Sequence, residues 1–232
     1  MSVRAAVFAS GSGTNLQALL DHEAMSQDYR IRLVVSDRAG AGALDRARTA
    51  ERRAEVVEVI DGSGEDVAEK TLGLLEEEGI RAIFLAGYLR LVPTSVVEAF
   101  RRRILNIHPA LLPSFGGKGM YGLRVHQEVL RAGSKVTGVT IHYVDEDYDT
   151  GTIFAQWPVP VHPQDTPKSL AARVLRVEHI LYPLAADHLC RAVEEGREPP
   201  RFAPPGEQFH LTDEAPDEEI SRQIRRAFQG GR

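Results

Sequence analysis

Over its first hundred or so residues the chain alternates short apolar runs with segments of helical periodicity, a rhythm that few folds accommodate. Val3–Ala9 is a compact apolar run, followed by glycines and by a helical pattern from about Asn15 to Met25. Ile31–Val35 is apolar again, a helix is expected near Ala41–Glu51, and Ala54–Ile60 reads as a strand. Asp66–Glu78 reads as a helix with Val67, Leu72, Leu74 and Leu75 on its apolar face. Ile80–Ala86 as a strand, Thr94–Phe100 as a short helix and Arg103–Ile107 as a strand complete the series. Strands alternating with helices build right-handed βαβ units around a parallel sheet. The later pattern differs: Val125–Ala132 predicts a short helix, and Lys135–Val144 and Thr152–Val161 are long β-rich runs joined by an acidic segment ending in Gly151. Two such neighbouring strands imply antiparallel pairing. The expected architecture is therefore α/β, a Rossmann-like, mostly parallel sheet with helices on both faces and antiparallel strands at its C-terminal side.

Thr166–Glu195 predicts a long helix, with Pro167 in the first turn, where proline is tolerated, and Pro183 inside, where a kink or break is expected. Beyond Gly196, Pro199, Pro200, Pro204, Pro205 and Pro216 indicate an extended, loop-rich stretch. Glu218–Phe228 reads as a final amphipathic helix and Gln229–Arg232 as a frayed end. The expectation is one catalytic domain over residues 1–196 and a proline-rich C-terminal extension over 197–232. The 232 residues carry a net charge of −5, without the basic stripe of a general nucleic-acid binder. No run approaches the roughly 18 apolar residues of a membrane helix. Cys190 is the single cysteine, so an intrachain disulfide is excluded, and it reads as a small core residue. The N-terminus lacks a signal-peptide pattern, so a cytoplasmic protein is expected.

The turn Ser10-Gly11-Ser12-Gly13-Thr14-Asn15 joins the first strand to the first helix. Glycines allow a close backbone approach, and a helix N-terminus offers free N–H groups to an anion. The dinucleotide fingerprint is incomplete, because its third glycine is Leu16, although Asp37 resembles its ribose-binding acid. A plain tight turn capped by Thr14 or Asn15 is the simpler alternative; a phosphate-bearing small molecule is favoured. In Leu105-Asn106-Ile107-His108-Pro109, Asn106 and His108 share one strand face. An amide beside an imidazole suits an oxyanion. A nearby carboxylate would raise the imidazole pKa and favour its charged form. The segment Val144–Gly151 offers Asp145, Glu146, Asp147 and Asp149, and spacing alone does not choose among them. It lacks the calcium-loop pattern, and His142 and His162 have no metal-ligand spacing, so no metal is expected.

Four segments together resemble a known family. They are Ala9–Ala18, Leu85–Arg90, Asn106–Phe115, and Gly138–Val144 with Asp149-Thr150-Gly151. In this order and at these separations they resemble the phosphoribosylglycinamide formyltransferases, folate-dependent enzymes of purine synthesis. The resemblance spans about Val3 to Pro183 and leaves the tail uncovered. It implies that the amine of glycinamide ribonucleotide attacks the formyl carbon of 10-formyltetrahydrofolate, and that a tetrahedral intermediate collapses to formylated product and tetrahydrofolate. It implies catalytic roles for Asn106, His108 and Asp149, selecting Asp149 from the four acids. Asn106 and protonated His108 would stabilise the oxyanion, and Asp149 would keep His108 charged and relay protons. A phosphate site would fall on Gly13, Thr14, Asn15 and Leu16, with Glu178 meeting the ribonucleotide. The folate would lie against Leu89, Arg90, Leu91 and Val92, with Asn106, Val144 and Asp149 closing on the same ring. Residues 1–100 would form the nucleotide-phosphate half, and 101–196 the folate and catalytic half. The partners implied are small molecules, without nucleic acid or membrane, and a homodimer is compatible.

Two departures stand out. Where relatives carry a basic residue for the folate tail, this chain has Gly64, so Lys70 or Arg90 is the expected substitute. The loop Ser114–Val125 is long and glycine-rich, with Lys118 and Tyr121 near the expected site. A formyltetrahydrofolate deformylase is the nearest rival; it usually carries a second His where this chain has Pro109, and an N-terminal regulatory domain before the first strand, which here starts at Val3. A methionyl-tRNA formyltransferase would need a basic RNA-binding domain after Gly196. A non-enzymatic phosphate sensor would have no need of Asn106, His108 and Asp149 together.

Overall fold

The computed structural model describes residues 2–59, 64–200, 202 and 217–229. The strands are β1 (Val3–Phe8), β2 (Tyr29–Ser36), β3 (Arg53–Val56), β4 (Ala82–Leu85), β5 (Ile104–His108), β6 (Val136–Tyr143) and β7 (Ile153–Pro160). The helices are α1 (Thr14–Glu23), α2 (Gly42–Thr49), α3 (Gly64–Glu77), α4 (Thr94–Ala99), α5 (Leu123–Arg131), α6 (Pro167–Glu195) and α7 (Asp217–Gln229). The seven strands form one sheet in the order β3-β2-β1-β4-β5-β6-β7. Pairing is parallel from β3 through β5 and antiparallel for β5–β6 and β6–β7. The α/β class and the mixed C-terminal side are as expected.

The chain winds one way from β1 to β2 and β3, then returns to place β4 on the other side of β1. Two loops therefore diverge at the carboxyl ends of β1 and β4. That switch point is where open α/β sheets leave a crevice. Strand alternation divides the core. Val3, Ala5 and Val7 join the larger cluster on the face covered by α1 and α6, while Ala6 and Phe8 join Val67, Leu74, Leu75 and Val96 of α3 and α4 on the other.

Two elements differ from the sequence expectation. β3 ends at Val56, because Ser36↔Val56 is the last pair β2 supplies; Ile60 lies outside the described residues. α6 continues as one helix through Pro183, whose missing N–H does not break it. Packing carries that segment: Leu181, Tyr182, Leu184, Ala185 and Ala186 are all buried, and the Tyr182 hydroxyl lies 2.9 Å from the carbonyls of both Leu85 and Leu105. Thr166 and Ser169 form a reciprocal capping box at its start, and Gly196 ends it in the left-handed conformation. The final helix is present as expected, and α7 packs on α6, burying Ile220, Ile224, Ala227 and Phe228. Phe228 stacks on His188 with centroids 4.1 Å apart and meets Phe202, which in turn meets Trp157 of β7. Pro204, Pro205, Pro216 and residues 230–232 lie outside the described residues. Cys190 is fully buried, and burial raises its thiol pKa well above the ordinary value, consistent with a core residue.

Candidate active site

A cleft of roughly 760 Å³ opens at the carboxyl ends of β1, β4 and β5, within the size range of small-molecule sites. One end is built by the glycine turn. Gly13 precedes α1 with φ +75°, and a Cβ there would lie 2.7 Å from the Ala43 Cα of α2, so only glycine fits. α2 braces the turn: the Ala43 N–H donates to the Gly11 carbonyl at 3.1 Å and Arg46 Nε to the Ser12 carbonyl at 2.8 Å. No side chain caps α1, neither Thr14 nor Asn15. Its first turn therefore presents backbone N–H groups and the positive end of the helix dipole. Ser12 and Asn15 border the cleft, whereas the Leu16 side chain is buried in the core, leaving only its backbone for a ligand. Asn15 Nδ2 donates to Glu178 Oε2 at 2.6 Å, joining α1 to α6. Glu178 is buried, and burial raises its pKa against the opposing effect of the Asn15 bond.

The loop after β4 forms an adjacent wall. Ser10 ties it to the glycine turn: its N–H donates to the Gly87 carbonyl at 3.0 Å, and its Oγ accepts the Leu89 N–H at 2.9 Å. Leu85, Leu89, Arg90, Leu91, Val92 and Val144 line this side. Apolar side chains beside peptide edges suit a flat, heteroatom-rich ring. The Arg90 guanidinium is 3.3 Å from the buried carboxylate of Asp37, so Asp37 is engaged as an ion-pair partner. Gly64 begins α3. The Lys70 ammonium donates to the Val56 carbonyl at 2.9 Å and lines a separate hollow on α3, away from the cleft. Of the two proposed substitutes for a basic residue at 64, only Arg90 borders the cleft. Lys118 and Tyr121 also line it.

The chemical groups meet at the end of β5. Asn106 and His108 share a face, and the antiparallel register sets Asn106 opposite His142 and His108 opposite Thr140. His142 was not singled out by any spacing argument, since only the β5–β6 register brings it here. Its Nδ1–H donates to the Tyr143 carbonyl at 2.8 Å, which leaves Nε2 to accept from Asn106 Nδ2 at 3.0 Å and so orients that amide. His108 Nδ1 lies 3.5 Å from Asp149 Oδ2, and its Nε2–H donates to the Phe115 carbonyl at 2.9 Å. Asp149 Oδ1 lies 3.4 Å from Asn106 Nδ2 and 3.5 Å from His142 Nε2, and Oδ2 accepts the Gly117 N–H at 2.9 Å. Among the four acids of this loop, Asp149 alone reaches His108 by such a contact. It does so with φ +59°, a conformation aspartate tolerates better than most residues. Gly151 sits just beyond, where a Cβ would fall 1.8 Å from the Tyr143 carbonyl oxygen.

The electrostatics are those of a buried, coupled cluster. Burial lowers the His108 pKa, and Asp149 and the Phe115 carbonyl pull it back up without reversing the shift. The sequence expectation of a raised value had the sign of the carboxylate effect right but left out desolvation. For Asp149, burial works to raise the pKa, yet the neighbouring His142 ring, the charge of His108 and the Gly117 N–H bring it below the ordinary value. The site thus favours a carboxylate beside an imidazole that holds its proton less tightly than free histidine does.

Residues 3–186 match the formyl transferase family model. The chain belongs to the formyl transferase family. Within the family it is 42% identical over 201 residues to the chloroplastic phosphoribosylglycinamide formyltransferase of Arabidopsis thaliana, covering 83% of this chain and 67% of that protein. It is 41% identical over 191 residues to the enzyme of the same name from Vigna unguiculata, covering 80% of this chain and 60% of that one. The phosphoribosylglycinamide formyltransferase structure from Brucella melitensis superposes with a TM-score of 0.74 at 41% identity, covering 82% of this chain and 96% of that chain. Family membership implies a formyl donor of the folate type. Among the described residues, no helix is long and apolar enough to cross a membrane.

Proposed function

We propose that this protein transfers the formyl group of 10-formyltetrahydrofolate to the amine of 5-phosphoribosylglycinamide, yielding formylglycinamide ribonucleotide and tetrahydrofolate in purine synthesis. The observation that carries this reading is the convergence of Asn106, His108 and Asp149 in a cleft bounded by the glycine turn and by the wall at Leu89–Val92. The phosphate belongs on the backbone N–H groups of Gly13, Thr14, Asn15 and Leu16, and Glu178 with Asn15 holds the ribonucleotide. The pterin ring belongs against Leu89, Arg90, Leu91, Val92 and Val144.

In this reaction a C–N bond forms between amine and formyl carbon, and the bond from that carbon to the folate nitrogen breaks. The amine loses a proton and the folate nitrogen gains one. Asn106 donates an amide N–H to the oxygen as it becomes negative, with its orientation set by His142. His108 donates from Nε2, exchanging the Phe115 carbonyl for the formyl oxygen, and then supplies the proton to the departing nitrogen. Desolvation makes its imidazolium a stronger acid than free histidine, which favours giving up that proton. Asp149 favours the charged imidazole against the effect of burial and accepts the amine proton through water. We read residues 1–196 as the catalytic domain of a cytoplasmic protein acting on small molecules, and 197–232 as an extension.

The test follows 10-formyltetrahydrofolate loss by absorbance, with and without glycinamide ribonucleotide. Loss that requires the ribonucleotide and disappears in His108→Ala supports the transfer. Loss with formate release and no ribonucleotide establishes a hydrolase instead.

A further inference from the structure

His126, on α5, borders the same cleft and has no role in the reading above. The residue is 4% exposed, and its Nδ1 is a buried polar atom without a hydrogen-bond partner. Buried polar groups are nearly always paired, so an unpaired ring nitrogen on a residue of the cleft wall points to a partner supplied by the ligand. Two observations locate that partner. α5, which carries His126, packs against α6, whose Ala171, Leu175 and Glu178 line the cleft, so the helix of His126 adjoins the wall assigned to the ribonucleotide. The residue is also close enough to His108 that a charge there disfavours charge on His126.

We propose that His126 binds the amide that links ribose to amine in the amine substrate, making it a specificity residue for a glycinamide rather than for a bare ribosyl phosphate. This inference rests on the proposed transfer reaction and names a contact within it. A secondary amide presents one N–H and one carbonyl, and a neutral imidazole offers one acceptor and one donor in return. Burial, followed by the nearby His108, lowers the His126 pKa to about 4, so the ring is neutral at working pH and adds no second cation beside the attacking amine.

The experiment is calorimetric binding of two ligands, glycinamide ribonucleotide and ribose 5-phosphate, which lacks the glycinamide. Wild type is compared with His126→Leu, His126→Met and His126→Gln, each checked by thermal unfolding. The apolar variants should bind glycinamide ribonucleotide about tenfold more weakly, the scale of one neutral hydrogen bond, while holding ribose 5-phosphate within about twofold. His126→Gln, which keeps a donor and an acceptor, should recover most of the loss. Carrying both Leu and Met guards against one apolar shape failing to pack. Folded apolar variants that bind glycinamide ribonucleotide like wild type, or that lose both ligands equally, overturn the assignment. Wild type that binds neither ligand removes the transfer reading itself, and this inference with it.

Discussion

Replacing Asp149 by Asn keeps the shape of the side chain and removes its charge. The carboxylate stands 3.5 Å from His108 Nδ1, with both side chains largely shielded from solvent at 4% and 11% exposure. At that separation and an effective dielectric near 20, the attraction between imidazolium and carboxylate is on the order of 4 kcal/mol. Part of it offsets the desolvation that already lowers the His108 pKa. Without the carboxylate, only the Phe115 carbonyl opposes burial, and the imidazole loses its proton more readily. If protonated His108 supports the transition state, kcat/KM should fall by about 10³-fold, within the 10² to 10⁴ range of general acid–base groups and about 4 kcal/mol at 1.36 per decade. The sign of the pH effect follows. Activity that needs imidazolium declines as pH rises through the His108 pKa, so Asp149→Asn should move the alkaline limb of kcat/KM to lower pH. The assay is the ribonucleotide-dependent loss of 10-formyltetrahydrofolate between pH 5.5 and 9 for wild type, Asp149→Asn, His108→Ala and the double variant. The part of the Asp149 effect that runs through His108 is already lost in His108→Ala, so the two losses should combine to less than their product. A single variant within about fivefold of wild type, or effects that multiply in the double variant, would refute the argument.

Three further outcomes follow from other contacts. Gly13→Ala should lower the unfolding midpoint and weaken ribose 5-phosphate binding at least tenfold, because φ +75° and an Ala43 Cα at 2.7 Å leave no room for a Cβ; the strain alone is about 1–3 kcal/mol. Glu178→Gln should raise the ribonucleotide KM while stabilising the free protein. Burial holds the Glu178 pKa above its unfolded value, so the folded state is penalised above the ordinary carboxylate range and not below it. A gain of about 1 kcal/mol, or 2–4 °C, is expected at pH 8, and none at pH 4. Asp165→Asn removes the two bonds from Arg173 at 2.7 and 2.9 Å that, with the His162 N–H, hold the Asp165 carboxyl far below its ordinary pKa. That stability is present above the unfolded carboxyl pKa, so a cost of about 1–3 kcal/mol at pH 7 should shrink as pH falls toward 2 in urea titrations.

Much of the architecture was legible because it repeats. Apolar strands and helical periodicities announce βαβ units, and the paired runs at 135–144 and 152–161 announce an antiparallel addition. Pro183 shows where local rules stop. A proline inside a helical pattern predicts a kink or a break, yet α6 continues because Tyr182 and its neighbours are held against β4 and β5. Lys70 is a similar case, since charge and position nominated it but the geometry of α3 turns it to the Val56 carbonyl. For His108 the upward pull of the carboxylate was legible and the larger downward effect of burial was not, because a sequence shows neighbouring charge more readily than desolvation.

By itself the sequence determined what lies close along the chain. Gly13 at the helix start, Asn106 and His108 on one strand face, and Gly151 after the acidic loop are local facts of backbone conformation and two-residue alternation. The tertiary structure decided what depends on register and packing. It set His142 opposite Asn106, chose Asp149 from four acids by contact, put the Phe115 carbonyl on His108, and left His126 buried and unpaired at the cleft. Each of these joins residues from separate elements, and a shift of one residue in the β5–β6 register would turn His142 to the opposite face of the sheet.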